Sequence, residues 1–259
     1  MPNWSDAGTA IRELFQATRP LGSAAWTAEL RNGRVHDVQV AIRAGVTEIA
    51  TTPRKLGRSP SELAFINAAL PPGCRVVCTC DGTQLVAEAA IGAMPAAALE
   101  RAVLGFQEAL DILGGAATTR MAALPWCEDS ASADGWQLEE RPDGSRETKL
   151  PHKRGALAVR VSEAGSTVLV AKPAAFEIEV REAVSEVLLR ATAKVRFVRA
   201  CARPEGETWS AWIEVPDGVC ILDEALTALA LVCRDCGTET AALTDPGLAA
   251  AYRKVSSVF

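Results

Sequence analysis

Apolar side chains near the middle of the chain recur at a helical spacing. Leu99, Val103, Phe106 and Leu110 are separated by three or four residues, which places them on one face of a helix. The segment follows a proline and is closed by two successive glycines, which are common start and stop signals. The pattern predicts an amphipathic helix over residues 96–113.

The rest of the first half combines helical and alternating patterns. Residues 75–80 form a short apolar run typical of a buried strand, and an Asp-Gly turn then leads to a second run over residues 84–91. The other elements predicted in this half are a helix over 6–18, strands over 35–42 and 45–52, and a short helix containing Leu63, Ile66 and Leu70.

The second half shows a similar succession of patterns. The predicted elements are strands over 156–161 and 166–171, a helix over 176–191, strands over 196–201 and 208–215, a helix over 220–234, and a tail helix over 246–255. The order β-β-α-β-β-α is therefore predicted in both halves.

Sequence positions in the two halves also correspond in spacing. The segment 75–80 aligns with 196–201 at an offset of 121 residues, and Pro95 aligns with Pro216 at the same offset. Order and spacing that agree together favour a duplicated unit. We therefore predict an α+β protein made of two tandem β-β-α-β-β-α units with mostly antiparallel sheets, arranged as a pseudo-dimer.

Periodicity fades between residues 116 and 155, and this stretch divides the chain. We predict a first unit over 1–115, a connection over 116–155 with one short strand near Trp136, and a second unit with a C-terminal tail over 156–259. Structureless loops of that length are uncommon inside a compact domain, which favours a connection between domains.

Composition narrows the functional classes. The 259 residues are 49% hydrophobic, and the formal net charge is −5. Such a chain can bury a core, and it has no global attraction to nucleic acid. No apolar run is long enough to span a membrane, and the N-terminus lacks the pattern of a secretory signal. We expect a cytoplasmic protein.

Each predicted unit closes with a strand, a short turn bearing a proline, and a long amphipathic helix. In the first unit these are residues 84–91, Pro95 and 96–113, and in the second they are 208–215, Pro216 and 220–234. This arrangement resembles the class I type III secretion chaperone fold and the YbjN-like proteins that share it. The resemblance implies a bacterial protein without chemistry of its own, whose surface takes up a segment of another protein.

Two cysteine pairs are the sharpest candidates for chemistry. Cys78 and Cys80 lie in a predicted strand, and Cys233 and Cys236 follow the C-x-x-C spacing seen in zinc and redox sites. The long separation between the pairs matches no common zinc-site spacing, so we interpret these cysteines mainly as core residues. A thiol- or zinc-dependent enzyme that uses Cys233 and Cys236 remains an alternative.

Four tryptophans are candidate anchors for a partner. Trp209 and Trp212 are three positions apart in a predicted strand and so point to opposite faces, while Trp126 and Trp136 lie in the connection. Exposed aromatic residues often anchor protein interfaces. The alternative is that these rings pack over the junction between the two units.

The sequence contains no nucleotide-binding glycine loop and no nucleophile motif, and its two histidines, His36 and His152, are interpreted as surface residues. We expect a non-catalytic protein-binding module, adaptor-like or chaperone-like, without a cofactor or a metal. Its partner is expected to be another protein of open identity, and neither a nucleic acid nor a membrane. The chain is expected to be a monomeric pseudo-dimer or a homodimer. A structural subunit of a larger assembly, held through residues 116–155, is a further alternative.

Overall fold

A computed structural model describes most of the chain. The described residues are 9, 11–22, 24–32, 34–43, 45–91, 95–116, 139–140, 142, 146–152, 155–163, 167–216, 219–220, 224–233 and 245–256. Within these residues the fold consists of two antiparallel β-sheets with helices packed against them. The predicted α+β class and the predicted antiparallel pairing are both confirmed.

The first sheet contains six strands in the order β1-β2-β3-β4-β6-β5. The strands are β1 (Gln16–Gly22), β2 (Ala25–Asn32), β3 (Arg34–Arg43), β4 (Val46–Thr51), β5 (Cys74–Thr79) and β6 (Gly82–Ala90). The alternation of β3 explains its orientation, because Val38, Val40 and Ile42 face the core while the intervening residues are more exposed.

The second sheet also has six strands, in the order β11-β12-β10-β9-β8-β7. They are β7 (Glu139–Glu140), β8 (Arg146–His152), β9 (Gly155–Glu163), β10 (Thr167–Glu177), β11 (Arg199–Glu205) and β12 (Thr208–Val215). If the strands of each sheet are numbered from 1 to 6 along the chain, both sheets have the spatial order 1-2-3-4-6-5. In each sheet the fourth strand therefore pairs with the sixth, and the fifth strand forms one edge.

Helices connect and cover these sheets. They are α1 (11–14), α2 (Pro60–Asn67), α3 (Pro95–Asp111), α4 (Arg181–Thr192), α5 (224–233) and α6 (Pro246–Ser256), and α3 runs into a π-helical turn at Ile112–Ala116. A short 3-10 turn, Ile178–Val180, precedes α4. None of the described helices combines the length and the hydropathy needed to cross a membrane.

The predicted order of elements is wrong in both halves. Four strands, rather than two, precede the first sheet-covering helix of each half. The predicted helix over 6–18 is replaced at its end by β1, a mostly exposed edge strand whose polar residues carry little strand signal. Residues 116–155 were expected to be mainly a connection, yet β7 and β8 lie within them and belong to the second sheet.

The helix α2 begins where its sequence specifies. Ser59 is the N-cap, and its hydroxyl accepts a hydrogen bond from the amide of Glu62, whose carboxylate accepts one in return from the Ser59 amide. This reciprocal capping box satisfies two backbone donors that a helix start leaves open. A proline follows the cap at the first helical position and fixes the direction in which the helix leaves the loop.

The two halves contact each other through the strands β5 and β11 and through the helices α2 and α4. The helix α2 packs against β11 of the second sheet, α4 packs against β5 of the first, and α2 and α4 also touch. Residues from both halves therefore contribute to one continuous apolar core. These contacts place β5 and β11, which are each one of the two edge strands of their sheet, next to each other.

Candidate functional site

A buried ion pair links β5 and β6 on the face that meets the second half. The Nη2 atom of Arg75 lies 3.1 Å from Oε1 of Glu88, and Nε lies 3.2 Å from Oε2. Both side chains are almost fully buried, at 5% and 0% exposure. The bidentate geometry is the one in which guanidinium and carboxylate bind most strongly.

Glu88 also holds the backbone of the second half. Its Oε2 atom accepts a hydrogen bond of 2.6 Å from the amide of Phe197. Phe197 is buried, and its φ is 64°, a left-handed conformation that bulky residues rarely adopt. The charge-assisted hydrogen bond from this amide helps to hold a strained turn immediately before β11.

A second buried ion pair joins β11 and β12. The Nε atom of Arg199 lies 2.5 Å from Oε1 of Glu214, its direct neighbour in the strand ladder. The other carboxylate oxygen of Glu214 accepts a hydrogen bond of 2.7 Å from the indole of Trp212. Both oxygens of this carboxylate are therefore engaged by donors within the sheet.

Each arginine also reaches a carbonyl group near the end of a helix in the opposite half. Arg75 donates through Nη1 to the carbonyl of Thr192, the last residue of α4, and to that of Val198 at 3.3 Å. Arg199 donates through Nη1 to the carbonyl of Leu70, shortly after α2, at 2.6 Å. Cations near helix C-termini satisfy open carbonyls and interact favourably with the helix dipole.

Asn67 lies between the two edge strands. Its Nδ2 atom donates to the carbonyl of Val76 on β5 at 3.0 Å and to that of Ala200 on β11 at 2.8 Å. Its Oδ1 atom accepts from the amide of Val76 at 2.6 Å. The Asn67 side chain thus bonds to the backbone of β5 as a neighbouring strand would, and it also bonds to β11. These hydrogen bonds satisfy backbone groups of the two edge strands that would otherwise lack a partner.

The start of α2 is paired with the start of α4. Glu182 accepts hydrogen bonds from the hydroxyl of Ser61 at 2.6 Å and from its amide at 3.1 Å. Burial acts to raise the pKa of Glu182, but these hydrogen bonds outweigh burial and the pKa lies below its ordinary value. A carboxylate is favoured there because the amides at a helix N-terminus carry partial positive charge.

These contacts form a clasp, by which we mean the six residues Asn67, Arg75, Glu88, Glu182, Arg199 and Glu214. Their donors and acceptors are directed at one another and at backbone groups within the fold. Such a network fixes the position of strands and helices. The sequence did carry a signal for part of it, because Arg75, Glu88, Arg199 and Glu214 interrupt otherwise apolar strands and a charge buried in a core needs a partner.

The candidate cysteines do not converge on one site among the described residues. Cys78 is partly buried on β5, Cys80 is exposed in the turn that follows, and Cys233 is buried on α5. Cys236 lies outside the described residues. Burial raises the pKa of Cys78, and it raises that of Cys233 to about 12. Thiolates are the form that binds metal or attacks substrates, so these environments oppose the thiol alternative.

In the described part of the chain, no three His, Cys, Asp or Glu side chains are grouped as metal ligands. His36 lies on β3 and is partly buried, whereas nothing is described of the His152 side chain. Burial, together with the charges of Arg54 and Arg34, lowers the pKa of His36.

Two of the four candidate tryptophans, Trp209 and Trp212, are described; they lie three positions apart in β12 and so on opposite faces of the strand. Trp212 is buried and packs with Cys201 and with Ala68, the residue that caps the C-terminus of α2. Trp209 packs partly against the main core. The guanidinium carbon of Arg203 lies 5.5 Å from the Trp212 ring centroid, and that of Arg181 lies 5.9 Å from the Trp209 centroid.

The position of Trp212 matches the alternative in which these rings pack over the junction of the halves. Trp126 and Trp136 lie outside the described residues.

Comparison of the chain with protein-family models, curated proteins and solved structures gives no match.

Proposed function

We propose that this protein is a non-catalytic binding module of adaptor or chaperone type, which docks a segment of a partner protein. In this proposal the chain contains two diverged copies of one unit, arranged as a pseudo-dimer. The resemblance of the closing strand, proline turn and helix to type III secretion chaperones motivates the binding role. The reciprocal contact between the halves is the observation that carries the proposal.

Corresponding elements meet across this contact. Ser61 and Glu182 each occupy the second position of their helix and are 121 residues apart, whereas the strands that follow, β5 and β11, begin 125 residues apart. Contact between equivalent positions is expected where a two-fold axis passes. The element contacts agree with such an axis, since α2 lies on β11 while α4 lies on β5.

Small residues at the C-termini of α2 and α4 also make corresponding contacts with the opposite half. Ala68 caps α2 and packs with Cys201 and Trp212 on the second sheet. Ala193 caps α4 and packs with a cluster of three buried residues on the first sheet, which are Ala50, Val77 and Val86. Each half thus covers part of a sheet face of the other, as protomers do in an isologous dimer.

This arrangement limits where a partner segment can dock. The face of β5 and β6 that carries Arg75 and Val86 is covered by the opposite half. On β3, one of the outer strands, the corresponding face carries Val35, Asp37 and Gln39, which are exposed. We therefore place the docking surface on the outer strands of the first sheet.

The test is to capture the partner and then rebuild the complex. Full-length tagged protein is purified from its native host after mild cross-linking, with an unrelated tagged protein as the control. A protein enriched over the control is then produced separately and titrated into the pure chain by calorimetry. The proposal expects saturable binding of a segment from that partner. Repeated captures that enrich no protein over the control would overturn it.

A further inference from the structure

We propose that the connection between α4 and β11 is a strained latch, which closes the second half onto the first sheet and opens locally while the rest of the fold stays intact. We call residues 193–198 the latch. Its opening releases Glu88 and uncovers Val77 and Val86 on one face of the first sheet. The proposal concerns a conformational change within the chain, and it does not depend on the proposed function.

The first half holds the latch at both of its ends and near its middle. Arg75 donates through Nη1 to the carbonyl of Thr192, directly before the latch, and to that of Val198 at its end, at 3.3 Å. Between these points the amide of Phe197 donates to Glu88, the ion-pair partner of Arg75, at 2.6 Å. One ion pair of the first sheet therefore binds three points along a connection that belongs to the second half.

Two further contacts join the latch to the same sheet. Arg196 donates through Nη1 to the carbonyl of Arg43, the last residue of β3, at 3.3 Å. Ala193 packs against a cluster of three buried residues, one from each of β4, β5 and β6, which are Ala50, Val77 and Val86. The latch thus covers an apolar part of the first sheet, and this part becomes accessible to water when the latch moves away.

The closed latch contains a strained backbone. The φ of Phe197 is 64°, and among the described residues only one other non-glycine residue, Ala17, has a positive φ. A side chain with a Cβ atom makes this left-handed conformation unfavourable. The ring of Phe197 is buried in the core while its amide is bound to Glu88. Contacts on both sides therefore impose the strain, and breaking the hydrogen bond to Glu88 allows it to relax.

The corresponding connection of the first half lacks this strain. It joins α2 to β5, and its left-handed residue, directly before β5, is Gly73 with a φ of 79°. Arg199 donates to the carbonyl of Leu70 in that connection, as Arg75 does to the carbonyl of Thr192. Glycine adopts positive φ values without a steric cost. The two connections therefore have a similar backbone, but only the second favours opening.

Amide hydrogen exchange in the unchanged full-length protein tests the proposal directly. Exchange is followed by NMR at several low concentrations of urea. We expect the Phe197 amide to exchange at least about tenfold faster than the slowest amides of β12, at a rate that low urea barely changes, because a local opening exposes little surface. If this amide exchanges as slowly as those of β12 and with the same urea dependence, the latch opens only in global unfolding, and the proposal is overturned.

Two variants test whether strain drives the opening. Phe197→Gly and Phe197→Ala both remove the aromatic ring from the core, but only glycine also relieves the left-handed strain. We expect the amide of position 197 to be about fivefold better protected in Phe197→Gly than in Phe197→Ala, after correction for intrinsic exchange rates. This order is the reverse of the usual one, in which glycine is the more destabilising residue.

Ala193→Gly is the matched control, because Ala193 lies in the same connection with a right-handed backbone and a φ of −61°. Glycine is expected to lower the protection of the Phe197 amide there. The proposal is overturned if Phe197→Ala is protected as well as Phe197→Gly, or if Ala193→Gly raises protection. If neither variant of position 197 folds, the urea dependence of exchange in the unchanged protein decides the outcome.

Discussion

At the scale of single residues, the charges buried in the strands are the groups most sensitive to change. Removing Arg75 and Glu88 from water is costly, and their attraction offsets that cost only because hydrogen bonds occupy the remaining donors and acceptors. Here Glu88 receives a third hydrogen bond from Phe197, and Arg75 reaches carbonyl groups of the second half. The pair therefore contributes to the relative placement of the two sheets.

Removing the charge of Glu88 tests this account. Glu88→Gln leaves the guanidinium of Arg75 buried without a counter-charge, and we expect the free energy of unfolding to fall by about 3 kcal/mol. Denaturation with urea measures the change. The control is Glu205→Gln, which alters the more exposed pair with Arg203 and is expected to cost less than about 1 kcal/mol. Equal losses in both variants would contradict a special role for the buried pair.

Thiol reactivity offers a second measurement on individual residues. Burial raises the pKa of Cys74 and Cys233 to about 12 and raises that of Cys201 as well. A raised thiol pKa keeps the unreactive neutral form at neutral pH. It also makes the fold less stable as the pH rises above about 9, because the thiol of the unfolded chain then ionises first.

We expect a maleimide at pH 7.5 to modify exposed Cys80 in the folded protein, and to modify Cys74, Cys201 and Cys233 only in denaturant. Peptide mapping by mass spectrometry identifies each modified site, and Cys80→Ser is the control that removes the reaction at that site. Rapid labelling of Cys233 in the folded state would contradict the burial described here, and would restore the thiol-dependent alternative.

At the scale of elements, the start of α2 depends on groups from two parts of the chain. Ser59 and Glu62 form the local capping box, and Glu182 supplies a negative charge from α4. The local sequence therefore determines where α2 begins, while the carboxylate of Glu182 connects the N-terminus of α2 to the second half.

Glu182→Gln separates these two contributions. The hydrogen bonds lower the pKa of Glu182, so its ionised form adds stability above about pH 4.5, and this stability is lost as the pH falls through the lower folded value. We expect the variant to be less stable by about 1 kcal/mol at pH 7, with a difference that shrinks below pH 4. Urea titrations at both pH values measure it. Gln84→Ala, which removes a hydrogen bond between the uncharged groups of Gln84 and Thr51, is a control whose loss should not depend on pH. A constant difference at both values would contradict an ionic contribution.

Elements with a strong periodicity were predicted well from the sequence, whereas elements with a weak pattern were missed. The helix α3 was predicted from its apolar spacing, and β5, β6 and β12 from short apolar runs bounded by turns. The strand predicted over 196–201 is wrong in its bounds, because β11 begins at Arg199 and continues to Glu205. The strand β1 was missed because it is an exposed edge strand that contains Pro20 and two irregularities of register. Such strands bury too little to show alternation, and their stability comes from pairing with a neighbour.

The clasp was less accessible to sequence analysis than the fold. Buried charges in apolar strands indicate that a partner exists, but the pairing of Arg199 with Glu214 depends on the strand register. Asn67 gave no signal at all, because the amide of a helix-end asparagine suits solvent as well as a strand edge. Its role follows from the approach of β5 and β11, which only the tertiary structure reveals.

At the scale of the whole molecule, α2 and α4 each pack on the sheet of the opposite half, and these contacts determine how the chain unfolds. Asn67 touches both edge strands, and α2 and α4 each cover an edge strand of the opposite half. Opening one half would expose apolar surface and unsatisfied backbone groups of the edge strand on the other half. The free energies of unfolding of the two halves are therefore linked. We therefore expect one cooperative transition rather than separate melting of each half.

Native-state hydrogen exchange provides the sharpest test of this linkage. Asn67→Ala removes hydrogen bonds at both edges, and we expect the opening free energies of β5 and β11 to fall together by about 2 kcal/mol. The informative comparison is Gln84→Ala, because the side chain of Gln84 donates to the carbonyl of Thr51 within the first sheet, at 2.9 Å. If the halves unfold as one unit, this local change also lowers protection of β11 by the amount that it lowers protection of β5. Protection of β11 that stays unchanged in Gln84→Ala would show that the second half holds its structure alone, and the clasp would then join two independent domains.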